Sequence, residues 1–453
     1  MTPALLSEAD ATALRPALGD HGPDTLGLLR CSDSVLIGIR GEDVSVRRHS
    51  AAGCALEIVG PGSRHHLFSP DCSASALHQL AETTGATCGT AVRRMAADRI
   101  GELPDDIVAA LSRLAEALAD RMLTGQHRAL HPTIDAAADL VRVAVLRPDG
   151  SVVADDRLHL ELRIGARIAG GHEGARSLRV VSAGSLDRLS SDDRHLAAAD
   201  EVARTAADRR DAIDPPEGAM PVVLAPGSPA ALLHEVCGHG LEVDVACAPA
   251  GAYHPPLGRR VAAPLVTVID DPGMPAWAPL YRVDDEGCPA RSTVLIDHGV
   301  LAGYLTDGDG ARRTGHPRTG NGRRLDHTHP ALARMSCTYL AAGESPPELA
   351  LAGVRRGLYV KSIVAGETNM SGAEFTADVT ESYLIENGRI TTPVRSATLH
   401  GIGTDVLREI DIVGDDLDFI AFGFQCNKLS QFPLTVSVGQ PTIRIRTMGV
   451  GAA

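Results

Sequence analysis

Aromatic residues are scarce: six Phe, six Tyr and one Trp make up 3% of 453 residues. Any core must therefore be built largely from Leu, Val, Ile and Ala. An excess of basic charge is lacking as well. With 57 Asp and Glu against 43 Lys and Arg, the formal net charge is −14. That balance argues against a general nucleic-acid binder, because neutralising phosphates needs clustered Lys and Arg. No apolar run approaches the roughly 20 residues that span a bilayer. Met1-Thr2-Pro3-Ala4-Leu5-Leu6-Ser7-Glu8 has neither a basic stretch nor an apolar core, so no signal peptide is expected. The nine cysteines are odd in number and lack paired spacing. They fit free thiols or one metal thiolate in a reducing cytoplasm better than a disulfide framework. Repeats, low-complexity segments and phosphate-cradling glycine loops are absent. Gly401-Ile402-Gly403 lacks the third glycine, and no G-x-S-x-G elbow is present. The expectation is a cytoplasmic protein with neither a nucleic-acid nor a membrane partner.

What remains is ordinary globular usage, 44% hydrophobic and 22% charged, in a chain long enough for two or three domains. The reading is α+β: a mixed helix/sheet domain over 1–215, then a strand-rich domain over 216–453 that carries a metal-binding helix. In the first part, a short helix is expected before Gly19. Val35–Ile39 and Val44–Val46 read as strands around the turn Gly41-Glu42-Asp43. Ala55–Val59 continues the pattern up to Gly60-Pro61-Gly62. Ser73–Glu82 reads as a helix. Ile107, Leu111, Leu114, Leu118 and Met122 recur at helical spacing behind Pro104-Asp105-Asp106. Val141, Val143 and Val145 lead to the turn Pro148-Asp149-Gly150. Leu158, Leu160, Leu162 and Ile164 alternate with His159, Glu161 and Arg163, the signature of a sheet with one wet face. A helix over Ser191–Ala212 stops at Asp214-Pro215-Pro216-Glu217-Gly218, where paired prolines cannot continue it.

The second part is loop-rich and chemically loaded. Val266–Ile269 and Ser292–Ile296 read as strands, the latter closed by the turn Asp297-His298-Gly299. Asp284-Asp285-Glu286 lacks the alternating ligand spacing of a calcium loop and reads as a polar turn. Thr319-Gly320-Asn321-Gly322-Arg323-Arg324 is either a basic loop holding a carboxylate or a solvated turn.

Met220–Leu224 reads as a strand ending at Pro226-Gly227. The helix that follows has Ser228 placed to cap it and Pro229 at its first position. That helix carries His234-Glu235-Val236-Cys237-Gly238-His239. The familiar zinc motif puts its histidines at i and i+4, roughly 40° apart around the axis. Here they stand at i and i+5, roughly 140° apart in an ideal helix. Both rings reach one metal only if the helix bulges or unwinds between them, and Gly238 supplies the backbone freedom. Glu235 would then face a metal-bound water as general base. Catalytic zinc usually takes three protein ligands. The candidates for the third are Cys237, Cys247, Cys288, Cys337, Cys426, His254, His298, His327, His329 and His400. Cys237 would crowd the metal, and spacing does not choose among the rest.

His234-Glu235-Val236-Cys237-Gly238-His239-Gly240-Leu241-Glu242 resembles the signature of the TldD half of the TldD/PmbA (TldE) family of zinc metalloproteases. The likeness runs through Asp284–Gly287, Leu295–Gly299, Thr319–Arg324, Arg334-Met335, Gly357–Val360, Tyr383–Gly388 and Pro393–Arg395 to Val438–Thr442. The first half resembles the family only in coarse pattern. The resemblance implies Zn²⁺ held by His234, His239 and Cys426, the last in Phe424-Gln425-Cys426-Asn427-Lys428, with Glu235 as catalytic base. A soft thiolate beside two imidazoles suits zinc. It also implies flexible peptides as substrates and a dimer, either a homodimer or a heterodimer with a metal-free TldE/PmbA-like subunit. Two departures stand out. Cys337 replaces the family's usual asparagine, and Ala365-Gly366-Glu367-Thr368 replaces a glycine-glycine-glutamine stretch. Both are expected to line the substrate channel and to leave room for a modified peptide or a biosynthetic amide as substrate. The Asn427-Lys428 pair, for the more usual glycine-lysine, is a smaller change. The rival reading is a non-catalytic binding or scaffold subunit of such a heteromer.

Overall fold

The computed structural model describes residues 8–19, 24–41, 43–60, 63–84, 102–123, 130–168, 176–191, 193–249, 251–254, 257–369 and 374–452. Expectations placed on Met1–Ser7, Glu42, Pro61 and Gly62 lie outside the described residues.

Six strands form the first sheet: β1 (Leu26–Arg40), β2 (Asp43–Gly60), β3 (Ser63–Ser69), β4 (Leu130–Leu146), β5 (Val152–Ile168) and β6 (Arg176–Ala183). Their order is β3-β2-β1-β4-β5-β6, antiparallel throughout. Five helices accompany them: α1 (Glu8–Gly19), α2 (Ala74–Glu82), α3 (Asp105–Leu123), α4 (Leu186–Ser191) and α5 (Arg194–Asp208). The stripe on α3 closes over the sheet as its spacing predicts. Ile107, Leu111, Leu118 and Met122 pack with Val202 and Ala206 of α5 against Ile134, Ala136, Leu160, Leu162 and Ile164. Truncating one such leucine to alanine typically costs about 2–5 kcal/mol. Ser73 caps α2, its Oγ accepting from Ala76 N–H at 3.1 Å. The single helix expected over Ser191–Ala212 is instead α4, α5 and a 3₁₀ turn at Arg209–Asp211, because Asp193 starts a new helix at its N-cap.

One expectation is overturned at β5. Its polar face is not wet along its length, because residues 279–290 cover part of it. Arg157 donates to Asp285 at 2.9 Å and to Val283 O at 2.7 Å, and His159 Nε2 lies 3.0 Å from Leu280 O and stacks on Phe422. Asp284-Asp285-Glu286 is the polar turn expected, but a buried one: all three are at most 3% exposed. Asp284 accepts backbone N–H groups of Glu286, Cys288 and Gly322. The Thr319–Arg324 loop holds carboxylates, and they belong to this chain. Arg324, fully buried, donates to Glu57 at 2.9 Å, and its N–H donates to Asp285.

Burial holds His159 down at about 4. An unfolded histidine takes up its proton near pH 6.5, so between pH 6.5 and 4 the unfolded chain binds the extra proton and stability falls with pH. The thermal midpoint should therefore drop between pH 7 and pH 5, and drop less in His159→Gln. Parallel pH dependences in the two proteins would contradict this assignment.

The remaining strands form two larger sheets and one two-stranded ribbon. The sheet that launches the motif helix runs Arg356–Asn369, Gly218–Leu224, Ile443–Ala452, Ala397–Ile402, Glu374–Glu386 and Arg389–Val394, with Ile410–Val413 beside Ile443–Ala452. Arg356–Asn369 also pairs with Glu374–Glu386, closing this sheet on itself. The other sheet ends in the hairpin of Gln431–Gln440 and the edge strand Asp418–Lys428. The motif helix is wedged between the two, in a core that includes Leu232, Leu233, Val236, Leu358, Val406 and Val436. Among the described residues no helix is long and apolar enough to cross a membrane.

Candidate metal centre

Gly218–Leu224 delivers the chain to Gly227, whose positive φ of 78° turns it into the helix. Pro229 stands in the first turn as expected, but Ser228 does not cap. Its hydroxyl lies 3.1 Å from Ile363 O and 3.4 Å from Ile363 N–H, so it ties the helix start to the strand Arg356–Asn369 instead. After a 3₁₀ turn and one α turn, His234–Gly238 is a π turn, in which His239 N–H donates to His234 O five residues back. This is the irregularity that the i, i+5 spacing requires: a hydrogen bond between residues five apart stacks them on one face. The ring centroids of His234 and His239 lie 4.9 Å apart, nearly perpendicular at 83°. Neighbours hold the turn. Tyr253 donates to Val236 O at 2.8 Å. Gly238 passes so close to Met335 that a Cβ there would stand 2.0 Å from its sulfur.

The edge strand Asp418–Lys428 brings Cys426 to the two rings. Its Sγ is 3.4 Å from His239 Nε2, and donor atoms of His234, His239 and Cys426 all lie within 4.8 Å of one another. Among the described residues no other group of three or more His, Cys, Asp and Glu converges this way. The other candidates are dispersed. Cys237 donates to Leu233 O, Cys288 and Cys337 are buried elsewhere, and Cys247 is half-buried. His254 and His298 are exposed, His329 is held by Asp326, His327 lies against Gly53, and His400 against Gly449.

Two residues that the motif reading did not single out complete the arrangement. Glu242, fully buried, lies 3.1 Å from His239 Nδ1 through Oε2, which orients the ring so that Nε2 faces the sulfur. Lys428 donates to Glu242 at 3.0 Å and to Asp244 at 2.7 Å. Burial pushes Glu242 up, but Lys428 and then His239 outweigh it and hold the carboxyl at about 2. Burial likewise opposes charge on Cys426, yet the imidazoles, His239 foremost, hold its thiol well below the usual range. Burial pushes Glu235 above the ordinary carboxylate range, partly offset by the two imidazoles. Sequence did carry a signal for the supporting pair: Glu242 is three residues past His239, and Lys428 is two past Cys426 on the same strand. Lys428→Met would leave Glu242 charged and buried, costing about 3–5 kcal/mol. Metal affinity at this centre should fall about 10–100-fold with it. Thermal unfolding and metal competition read the two effects, and unchanged values in both would contradict this role.

A cleft of about 590 Å³ opens over the three donor residues. Glu235, Ala365–Thr368, Phe424, Asn427 and Phe432 line it, and Arg163 reaches in from β5 of the first sheet. Of the two expected departures, only Ala365–Thr368 meets this cleft. Cys337 does not line it; it sits fully buried on the strand Cys337–Leu340, paired with Ser437. Gly366 faces Glu235, and a Cβ there would stand 2.6 Å from its Cγ. The donor set fits a metal: a thiol and two imidazoles converge, and the buried His234 Nδ1 has no partner among the described residues.

The PmbA/TldA metallopeptidase C-terminal domain matches residues 217–452. The chain is 34% identical over 342 residues to the metalloprotease TldD homolog of Haemophilus influenzae, covering 74% of this chain and 70% of that protein. It is 31% identical over 238 residues to the zinc metalloprotease TldD homolog of Saccharolobus solfataricus, covering 52% of each. The crystal structure of TldE from Thermococcus kodakarensis superposes with a TM-score of 0.74 at 16% identity, covering 98% of this chain and all of that one, a likeness of fold alone. Matched by the family's domain over residues 217–452 and by a TldD homolog along most of both chains, this chain belongs to the TldD/PmbA family.

Proposed function

We propose that this chain is a zinc-dependent peptidase of the TldD type, with His234, His239 and Cys426 holding Zn²⁺ and Glu235 acting as general base. The observation that carries the reading is the π turn, which stacks the two histidines beside Cys426 while Glu235 opens onto the same cleft. Zinc, when bound, supplies a Lewis acid that acidifies water and polarises a carbonyl. Glu235 takes one proton from the attacking water, whose oxygen bonds to the peptide carbonyl carbon. As the C–N bond breaks, Glu235 passes that proton to the leaving amine. A raised pKa makes Glu235 a better acceptor than an exposed carboxylate. Glu242 keeps the His239 ring in place and leaves its Nε2 free of the proton, and Lys428 fixes Glu242.

The same reading takes flexible peptides as substrates, a cytoplasmic location, and a homodimer or a heterodimer with a TldE-like subunit. It keeps residues 1–215 and 216–453 as two domains, supported by the sheets of the described residues, none of which takes strands from both sides of that boundary; one isolated bridge, Ile213 to Val394, crosses it. The test is hydrolysis of flexible peptides by the purified chain, alone and with a TldE-like partner. Turnover should vanish on chelation and return with zinc. Turnover that survives complete metal removal would contradict the reading. A chain that binds zinc and peptides in both states without cleaving them would be a scaffold subunit instead.

A further inference from the structure

A second cleft, of about 490 Å³, adjoins the metal cleft and shares Arg163, Val364, Gly423 and Phe424 with it. Its walls come from both halves of the chain: β6 and α5 on one side, the strands Arg356–Asn369 and Asp418–Lys428 on the other. In a chain with 13 aromatic residues, four converge here: Trp277, Tyr359, Phe419 and Phe424. All four are half-buried: Phe424, Trp277 and Tyr359 each pack one side on a core cluster, Phe419 meets Tyr339 edge-on, and the rest of each ring lines the cleft. The cations at the rim are already engaged. Arg179 pairs with Glu201 at 3.0 Å and Glu381 at 2.8 Å, Lys361 pairs with Glu201, Arg163 pairs with Glu161, and Arg194 lies over the Trp277 ring at 4.3 Å. Compensated charge and half-exposed aromatic walls favour a neutral, apolar occupant over an anion.

We propose that this cleft is a side-chain pocket for a large apolar or aromatic residue of the substrate. The proposal rests on the peptidase reading above and names the substrate feature that reading leaves open. Phe424 stands two residues before Cys426 on one strand. At a rise of about 3.3 Å per residue, an extended peptide places the occupant two or three residues from the scissile bond. Which side of that bond it lies on follows from the peptide's direction.

Trp277 is the sole tryptophan, so its fluorescence reports this pocket without any need for catalysis. The full chain is titrated with N-acetyl-phenylalaninamide, N-acetyl-leucinamide, N-acetyl-glycinamide and N-acetyl-glutamic acid amide. Saturable changes are expected with the first two only. Ala197, exposed on α5, also lines the pocket, so Ala197→Phe fills it from a position that tolerates bulk. That variant should weaken both responses by about tenfold. For hydrolysis, peptides with Phe or Gly two or three residues from the cleaved bond are compared. The Phe peptide should have about tenfold higher kcat/KM than the Gly peptide, and Ala197→Phe should remove that preference. Equal responses to all four amides, preference for the acidic one, or responses untouched by Ala197→Phe would overturn the proposal. Probe binding without cleavage of any peptide supports the pocket and sinks the peptidase reading. Cleavage without probe binding does the reverse.

Discussion

Glu235→Gln should retain its zinc and its fold while hydrolysing peptides about 10²–10⁴-fold more slowly, roughly 3–5 kcal/mol of added barrier. Glu235 stands outside the group of three converging donors but lines the cleft they face. Gly366 lies against its stem, a contact that an isosteric amide would not disturb. Glutamine still hydrogen-bonds water but takes no proton from it at neutral pH. Metal content therefore stays and rate falls. A Glu235→Gln enzyme that turns over a good substrate at the wild-type rate would show that another group accepts the proton.

The second large effect is on the metal. Cys426→Ser should lose zinc by more than the factor expected of Lys428→Met, because it removes a ligand rather than a ligand's support. A serine hydroxyl is harder and far less acidic than a thiol that the two imidazoles hold well below its usual range. Cys337→Ser is the control. It alters a fully buried cysteine in the same half of the chain but outside the cleft, so zinc should remain. Equal zinc in wild type and Cys426→Ser would move the third ligand elsewhere.

Helical spacing was legible wherever one face is buried, as in α3, whose apolar positions meet β4 and β5. Strands were legible only in part. β1 and β2 extend over 15 and 18 residues, yet only short pieces of each carry a strand pattern in the sequence. The reason is visible in β2: Ser45 to Ser50 is exposed on both faces, so pairing with β1 holds the strand without leaving a period. Buried charges were the harder miss. Asp284-Asp285-Glu286 and Arg324 look like surface residues until the first sheet covers them, and their partners lie up to 267 positions away. The site divides the same way. The π turn followed from counting residues around a helix, since two rings five apart meet only on a distorted turn. The approach of Cys426 is a product of sheet packing, and local spacing had nothing to say about it. Nor did it speak for Arg163, which crosses from β5 into the metal cleft.

The most direct measurement is zinc K-edge X-ray absorption on the purified wild-type chain, with zinc content determined on the same sample. One zinc per chain is predicted, with one sulfur at about 2.3 Å and two imidazole nitrogens at about 2.0–2.1 Å in its first coordination sphere. The sulfur should disappear in Cys426→Ser. A zinc-free protein that does not take up the metal, or a zinc surrounded only by nitrogen and oxygen, would contradict the account.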